Sequence, residues 1–566
     1  KTNVLTVWSS TQMPHLVRRQ IAAQLNLPQE AVRVIAPDIG GGFGPKVFVY
    51  PEEILVPFLA QQLGRPVKWI EDRREHFIST AHGRDQIHEV EFGFDEEGRV
   101  LALRDRFLLD NGAYNPMGLT DAYNTAAHLQ GPYRIPNVAI TGTCVSTNKV
   151  PNAPYRGAGR PEAVFVTERC MDLIATKLGL DPAEVRRRNF VPPELMPYQA
   201  GILYRDGEPI RYDSGNFPET LRRALDTANY DQFRQRQQTF RERGRYFGIG
   251  IGCYVEGTGV GSFEGAKVSI DTSGQVIVAT GATGHGQGHE TVYAQIAADL
   301  WGVSPEDVRV VEGDTAAIPF GCGTFGSRST VNVGSALYEA SALLKEKIKA
   351  LAGHLLEANP DDLELDGGRI SVRGFPDRSI SFAELARAAV PGWASKSPPG
   401  MAPGLEETFY FVPATVTWAN AAHVAVIEVD IDTGGIKLLD YVVAHDAGKL
   451  INPLLVDGQI HGGVAQGIGA ALSEEICYDS SGQLLSGSFM DYLLPGTMEI
   501  PPIKTVHLES VSPLNPLGVK GLGEGGAIAP PAAIANALAD ALRPFAAQIT
   551  EIPLSPNRVL EIIRRT

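Results

Sequence analysis

Cysteine is the first scarcity. Five thiols, Cys144, Cys170, Cys253, Cys322 and Cys477, are spread over 566 residues. No two form a C-x-x-C pair, which excludes a disulfide framework and leaves no iron–sulfur ligand set to be read from the chain. These thiols are expected to be mostly buried. No apolar run approaches the roughly 18 residues needed to cross a bilayer, so no transmembrane segment is expected. The opening Lys1-Thr-Asn-Val-Leu-Thr-Val-Trp8 reads as a strand and not as a signal peptide, which predicts a cytoplasmic chain. Positive charge is short as well. Lys plus Arg total 50 against 65 Asp plus Glu, a formal charge of −15, which opposes nucleic-acid binding and suits an enzyme acting on a small-molecule substrate.

Glycine, by contrast, is plentiful, with 60 residues gathered into clusters. They stand at Gly40-Gly41-Gly42-Phe43-Gly44, Gly157-Ala-Gly159, Gly257 to Gly261, Gly281 to Gly288, Gly462-Gly463 with Gly467 and Gly469, and Gly521 to Gly526. Glycine lets backbone approach a ligand closely, at an entropic cost. Six such clusters predict several loops converging on one large, polar, phosphate-bearing ligand. The length exceeds one ordinary core, so two domains are expected, 1–230 and 231–566, divided at the charged, glycine-poor stretch from Asp231 to Arg245. Turns at Asp95–Gly98, Asp271–Gly274, Asp432–Gly435 and Asp479–Gly482 lie between alternating segments and predict hairpins. Leu337, Ala340, Leu344, Ile348, Leu351 and Leu355 mark a long amphipathic helix ending before Asn359-Pro360. The mixture predicts an α+β fold with interleaved sheets and helices. A chain that opens in a strand and at once meets the polar cluster Ser9-Ser10-Thr11-Gln12 also suggests a fragment, or one piece of a split subunit.

Gly521-Leu-Gly-Glu-Gly-Gly526 holds one carboxylate, Glu524, among glycines that no packed core would require. The six letters satisfy G-x-G-x-x-G, yet the dinucleotide fingerprint must follow a buried strand, and Pro513 and Pro516 spoil one there. A helix is expected from Ala532 to Leu542, with Pro530-Pro531 in its first turn. Glu524 is therefore a general base on a bare loop, or a cap for that helix.

Seven segments carry a resemblance when taken in order: Ser10-Thr-Gln12, Gly40 to Lys46, Ala153 to Arg160, Thr283 to His289, Thr324 to Thr330, Gly463 to Gly467, and Gly521 to Gly526. The set resembles the molybdenum-binding large subunit of the xanthine oxidase, aldehyde oxidase and carbon monoxide dehydrogenase family of molybdenum hydroxylases, over nearly the whole chain. The resemblance implies two interleaved molybdopterin-binding domains of mixed sheets and helices. It implies that Glu524 is the base and that Gln12 hydrogen-bonds the apical oxo group of the cofactor; from the residue alone Gln12 reads as a surface strand position. Backbone amides of Gly42, Phe43 and Gly44 would lie beside the metal's oxygen ligands, although Phe43 equally suits a core plug. Gly286, Gln287, Ser327, Arg328, Ser329 and Thr330 would contact the pterin and its pyrophosphate, Gln466 the pterin from the second domain, and Gly523 the cofactor beside the base. Arg156 would stand near the active-site entrance, in contact with both cofactor and substrate. His285 and His289 flank Gln287, but the metal of this family is held by dithiolene sulfurs, so no protein metal ligand is expected.

The implied cofactor is molybdopterin with molybdenum, as the cytosine dinucleotide, and the implied partners are a small [2Fe–2S] subunit and an FAD subunit, in a dimer of heterotrimers. The implied reaction inserts water-derived oxygen into an electron-poor C–H bond of an aldehyde or N-heterocycle. Gly157 stands where carbon monoxide dehydrogenases carry a copper-binding cysteine, so no copper site is expected. Ala158 and Val47 replace an aromatic and an acid of xanthine-oxidising relatives, and Asn124 falls near the place of their second arginine; a roomier or more apolar pocket follows. Three other readings stand beside this one: a carbon monoxide dehydrogenase-like subunit without the copper cysteine, a non-catalytic molybdopterin carrier, and an unrelated nucleotide-binding protein built on glycine loops.

Overall fold

The computed structural model describes residues 4–392 and 395–565, so the first three residues of the expected opening strand lie outside it. Strand β1 (Leu5–Trp8) pairs in parallel with β2 (Val32–Ile35) across helix α1 (Pro14–Gln24). β3 (Gln86–Phe94) and β4 (Val100–Asp110) form the hairpin expected around Asp95–Gly98, and β5 (Asn137–Val145) joins β4 in parallel. Helices α2 (Arg160–Leu178) and α3 (Pro182–Asn189) follow.

Strand β6 (Tyr246–Thr258) is buried almost throughout, and β7 (Glu264–Ile270) and β8 (Val276–Thr280) make the hairpin at Asp271–Gly274. Helix α4 (His289–Trp301) returns the chain to β9 (Val308–Val311), parallel to β8. The long helix α5 runs from Ser329 to Leu356, ending where expected, and starts within the polar segment Thr324 to Thr330. β10 (Glu406–Phe411) completes a four-stranded sheet of order β9-β8-β7-β10. β11 (Thr417–Val429) and β12 (Ile436–Asp446) turn at Asp432–Gly435. After α6 (Pro453–Leu472), β13 (Ile503–Leu508) closes a second sheet of order β13-β12-β11-β6, and α7 (Pro530–Ala541) packs on it. Mixed sheets and helices are thus interleaved as expected. The turn at Asp479–Gly482 forms, but only an isolated bridge between Tyr478 and Leu484 flanks it. Of the five thiols only Cys253 is buried; the other four are partly exposed, against expectation.

Close packing of α7 on the second sheet fixes the loop that precedes it. β6 carries Gly248, Gly250 and Gly252 on one face, and a Cβ at either of the first two would overlap the carbonyls of Ala537 and Ala533. Each strand glycine weakens a strand by roughly 0.5–1 kcal/mol relative to alanine. That loss is offset by the approach it permits, with Ile534 and Leu538 fully buried at about 1.5–3 kcal/mol each. The glycines of α6 work the same way. A Cβ on Gly463 would meet the backbone of Gly526, and one on Gly467 would meet Pro530. Gly463 and Gly467 thus serve helix packing, while Gly462 of the same cluster lines the cavity.

One buried titratable group gives the fold a pH dependence. His423 on β11 is fully buried, its Nδ1 3.0 Å from Tyr441 Oη, and burial, with His445 second, lowers its pKa to about 3. The unfolded chain takes up that proton below about pH 6.5 and the folded chain does not, so stability rises with pH across this window and is lost as pH falls below it. His423→Asn is therefore expected to flatten part of the acid-side fall in melting temperature. The advantage of the parent should shrink by up to about 1.4 kcal/mol per pH unit on acidification below about pH 6.5; a pH-independent difference would refute the assignment.

Candidate active site

A cavity of about 1120 Å³ lies where the glycine loops meet, lined by residues from Gln12 to Glu524. Gln12, just beyond β1, is buried. Its Oε1 accepts from Gly44 N at 3.0 Å and its Nε2 donates to Thr324 O at 2.8 Å, which leaves one amide hydrogen for the cavity. The neighbouring loop tolerates no side chain where it turns. A Cβ on Gly42 would sit 2.8 Å from the Gln12 side chain, and one on Gly44, where φ is +119°, would overlap Pro154 O. Phe43 is 43% exposed and lines the cavity, so it is no core plug.

Arg156 is buried in the cavity wall. Its Nε donates to Gly523 O at 2.6 Å, one terminal nitrogen to Gln466 Oε1 at 3.1 Å, and the other to Gln459 O and Oε1, both at 3.1 Å. Its guanidinium also lies over the Phe43 ring, 5.6 Å from the centroid. Three expected residues, Arg156, Gln466 and Gly523, are brought together in this way, and they tie α6 to the loop that bears Glu524.

Glu524 faces the cavity with both oxygens held. Oε1 accepts from Gly157 N at 3.1 Å and lies 3.6 Å from Arg160, while Oε2 accepts from Ser327 Oγ at 3.1 Å. The side chain caps no helix. Arg160, fully buried at the start of α2, also donates to Gly157 O and Gly257 O, and its Nε lies 3.3 Å from His128 Nε2. His128 is kept neutral by burial and by that cation, its pKa well below the usual value. Sequence reasoning gave no role to Arg160, Gln459 or Glu256. The available signal for Glu256 was a single carboxylate inside an otherwise apolar strand.

On the opposite wall, Gly286 (φ +108°) has open space where a Cβ would stand, and Gln287 turns its amide back onto His285. Burial, then His289, lowers the His285 pKa to about 3, and His289 pairs with Glu312 at 3.2 Å. Arg328 departs from expectation. Its guanidinium is buried against Glu264 at 2.7 Å and the carbonyls of Val260, Phe263 and Gly323, so it shapes the loop and does not reach into the cavity for a diphosphate. Ser329 and Thr330 begin the 28-residue α5, whose first turn has no side-chain cap. Amides at such a terminus favour an anion. Val47, Ala158 and Asn124 all line the cavity, the last with an unpaired Oδ1.

Loops stripped of side chains, an uncapped helix N-terminus and one acid in a single cavity are the features of an enzyme site for a large, anionic cofactor. Models of the molybdopterin cofactor-binding domain match residues 1–190 and 223–501. The chain is 40% identical over 562 residues to the 6-hydroxypseudooxynicotine dehydrogenase complex subunit gamma of Paenarthrobacter nicotinovorans, covering 98% of this chain and 70% of that one. It is 36% identical to the carbon monoxide dehydrogenase large chain of Afipia carboxidovorans, over 95% of this chain and 68% of that one. The solved quinoline 2-oxidoreductase from Pseudomonas Putida 86 superposes with a TM-score of 0.92 at 40% identity, over 99% of this chain and 72% of that one. The chain belongs to the molybdenum-binding large subunits of the molybdenum hydroxylase family and is a molybdenum-containing oxidoreductase subunit with two molybdopterin-binding domains.

The residues present fit that cofactor. Gly42, Gly44 and Gly286 leave backbone bare, Gln12 keeps a free donor, and the first turn of α5 offers unpaired amides. Among the described residues no group of histidine, cysteine and carboxylate side chains could hold a metal ion by itself. No helix among them is long and apolar enough to cross a membrane.

Proposed function

We propose that this subunit hydroxylates an electron-poor C–H bond of an N-heterocycle or aldehyde with oxygen from water, and passes the electrons to [2Fe–2S] and FAD partner subunits in a dimer of heterotrimers. The observation that carries this is the Glu524 carboxylate, aimed into a glycine-bare cavity by Gly157, Ser327 and Arg160. When bound, the molybdenum cofactor, as the cytosine dinucleotide, supplies the two-electron acceptor. Gln12, the Gly42–Gly44 amides, Gly286, Gln287 and the α5 N-terminus would hold it, with Gln466 and Gly523 fixed by Arg156. Glu524 accepts the proton of the attacking oxygen, as a base within hydrogen-bond reach should. The reaction balances as R–H plus water giving R–OH, two electrons and two protons. Val47 and Ala158 leave apolar room for a flat ring, and the quinoline relative supports a heterocycle over carbon monoxide. A non-catalytic carrier would require neither an oriented acid nor the Gln12 donor. We set the division between domains near residue 230; the two family-model matches end at 190 and resume at 223.

Elemental analysis of the purified protein is expected to find stoichiometric molybdenum. A panel of quinoline, nicotinate, purines and aldehydes is expected to reduce an artificial dye fastest with a heterocycle. Molybdenum with no dye reduction across the panel would favour the carrier; absence of molybdenum after expression with its partners would overturn both.

A further inference from the structure

Behind Glu524 lies a second carboxyl. Glu256, on β6, is fully buried. Ser327 Oγ is 2.7 Å from Glu256 Oε1 and 3.1 Å from Glu524 Oε2, and it accepts the Glu524 backbone N–H at 3.1 Å. A hydroxyl has one hydrogen to donate and two lone pairs to accept with. If both carboxyls were ionised, the single Ser327 hydrogen could serve only one of them, and the other contact would set two electron-rich oxygens against each other. A proton on Glu256 resolves the geometry. Glu256 donates to Ser327, Ser327 donates to Glu524, and the remaining lone pair takes the Glu524 N–H.

Two further observations agree. Glu256 Oε2 has no partner, which a neutral carbonyl oxygen tolerates far better than half of a carboxylate. The nearest cation is committed to the other acid, since Arg160 lies 3.6 Å from Glu524 while Arg156 is engaged by Gly523, Gln466 and Gln459. Tyr254 Oη and His445 Nε2 approach the same spot beside Gly525, where a Cβ would meet both and stand 3.5 Å from Glu256 Oε2. His445 is held neutral, burial lowering its pKa to about 4, so it adds no positive charge there at neutral pH.

We propose that Glu256 is protonated in the working enzyme and, through the Ser327 hydroxyl, serves as a positioning residue that keeps the Glu524 side chain aimed into the cavity. This rests on Glu524 as the base. Burial first, then the charge of Glu524, pushes the Glu256 carboxyl up to about 8, opposed by Arg160.

Infrared spectroscopy of the purified protein in water and deuterium oxide tests this directly. A protonated carboxyl band that shifts on deuteration is expected at neutral pH, bleaching with a midpoint of about 8 and missing from Glu256→Gln. Its absence from the parent, or its persistence in Glu256→Gln, would overturn the proposal. Should that variant fail to accumulate, Ser327→Ala keeps the carboxyl and removes the bridge. Its band is then expected to bleach at lower pH, because the protonated form loses the oxygen it donates to, and an unmoved midpoint would also sink the idea. In the pH profile of turnover, Glu256→Gln, which retains an N–H toward Ser327, is expected to lose the alkaline step, while Glu256→Ala also loses rate. The band is read without substrate. Failure of the band leaves the role of Glu524 standing, and an inert preparation that shows it counts against the function alone.

Discussion

Glu524→Gln is expected to lower turnover by about 10²–10⁴-fold, the range contributed by a positioned general base, while molybdenum content stays at the parental level. The amide matches the carboxylate in shape, so its oxygen still accepts from Gly157 N, and the loop stays tied through Arg156 to Gly523 O. What disappears is basicity. The loss should fall on kcat as well as kcat/KM, since the proton moves only as the new bond forms. Dye-reduction kinetics beside metal analysis decide the matter: bound molybdenum with an unchanged rate would remove Glu524 from the base role.

Arg186→Met carries the largest expected loss of stability. Arg186, on α3, is fully buried and donates to Glu168 at 2.8 Å, to Asp172 at 2.7 Å, and to the carbonyls of Pro182, Glu168 and Ile251. It clamps α2, the helix that begins with Arg160, onto β6, the strand that bears Glu256. Removing it strands the Glu168 carboxylate with only Tyr133 and the Cys253 amide. Breaking a buried pair in this way costs roughly 3–5 kcal/mol, against a typical total of about 5–15. Burial already pushes the Glu168 pKa up, so the stranded acid would neutralise as the variant relaxes. A clear drop in the urea midpoint is expected, with partial recovery in Arg186→Met/Glu168→Met, where only the Asp172 carboxylate is left without its Arg186 partner. An unmoved midpoint in the single variant would show that the pair contributes nothing.

Much of the site was legible because its chemistry depends on short, local words. A carboxylate among glycines and an amide between glycines each show within a few residues. What escaped was long-range. Arg328 looked like a phosphate ligand until Glu264, 64 residues earlier in the chain, was seen to take it. The Arg156 partners at Gly523, Gln466 and Gln459 lie more than 300 positions away. Glycine itself was ambiguous. Gly286 lines the cavity with open space beside it, whereas Gly44 beside Pro154, Gly463 and Gly467 on α6, and Gly248 and Gly250 on β6, make room for neighbouring protein atoms. Composition cannot separate the two uses; only the facing partner does.

The link from Arg156 to Gly523 joins the first family segment to a loop beyond the end of the second. Ribosomal synthesis delivers Gln12 and the bare Gly42–Gly44 turn early and the acid late, so one side of the cavity stays open until nearly all of this sequence has been translated. Helix α7, settling against the glycine face of β6, completes that wall.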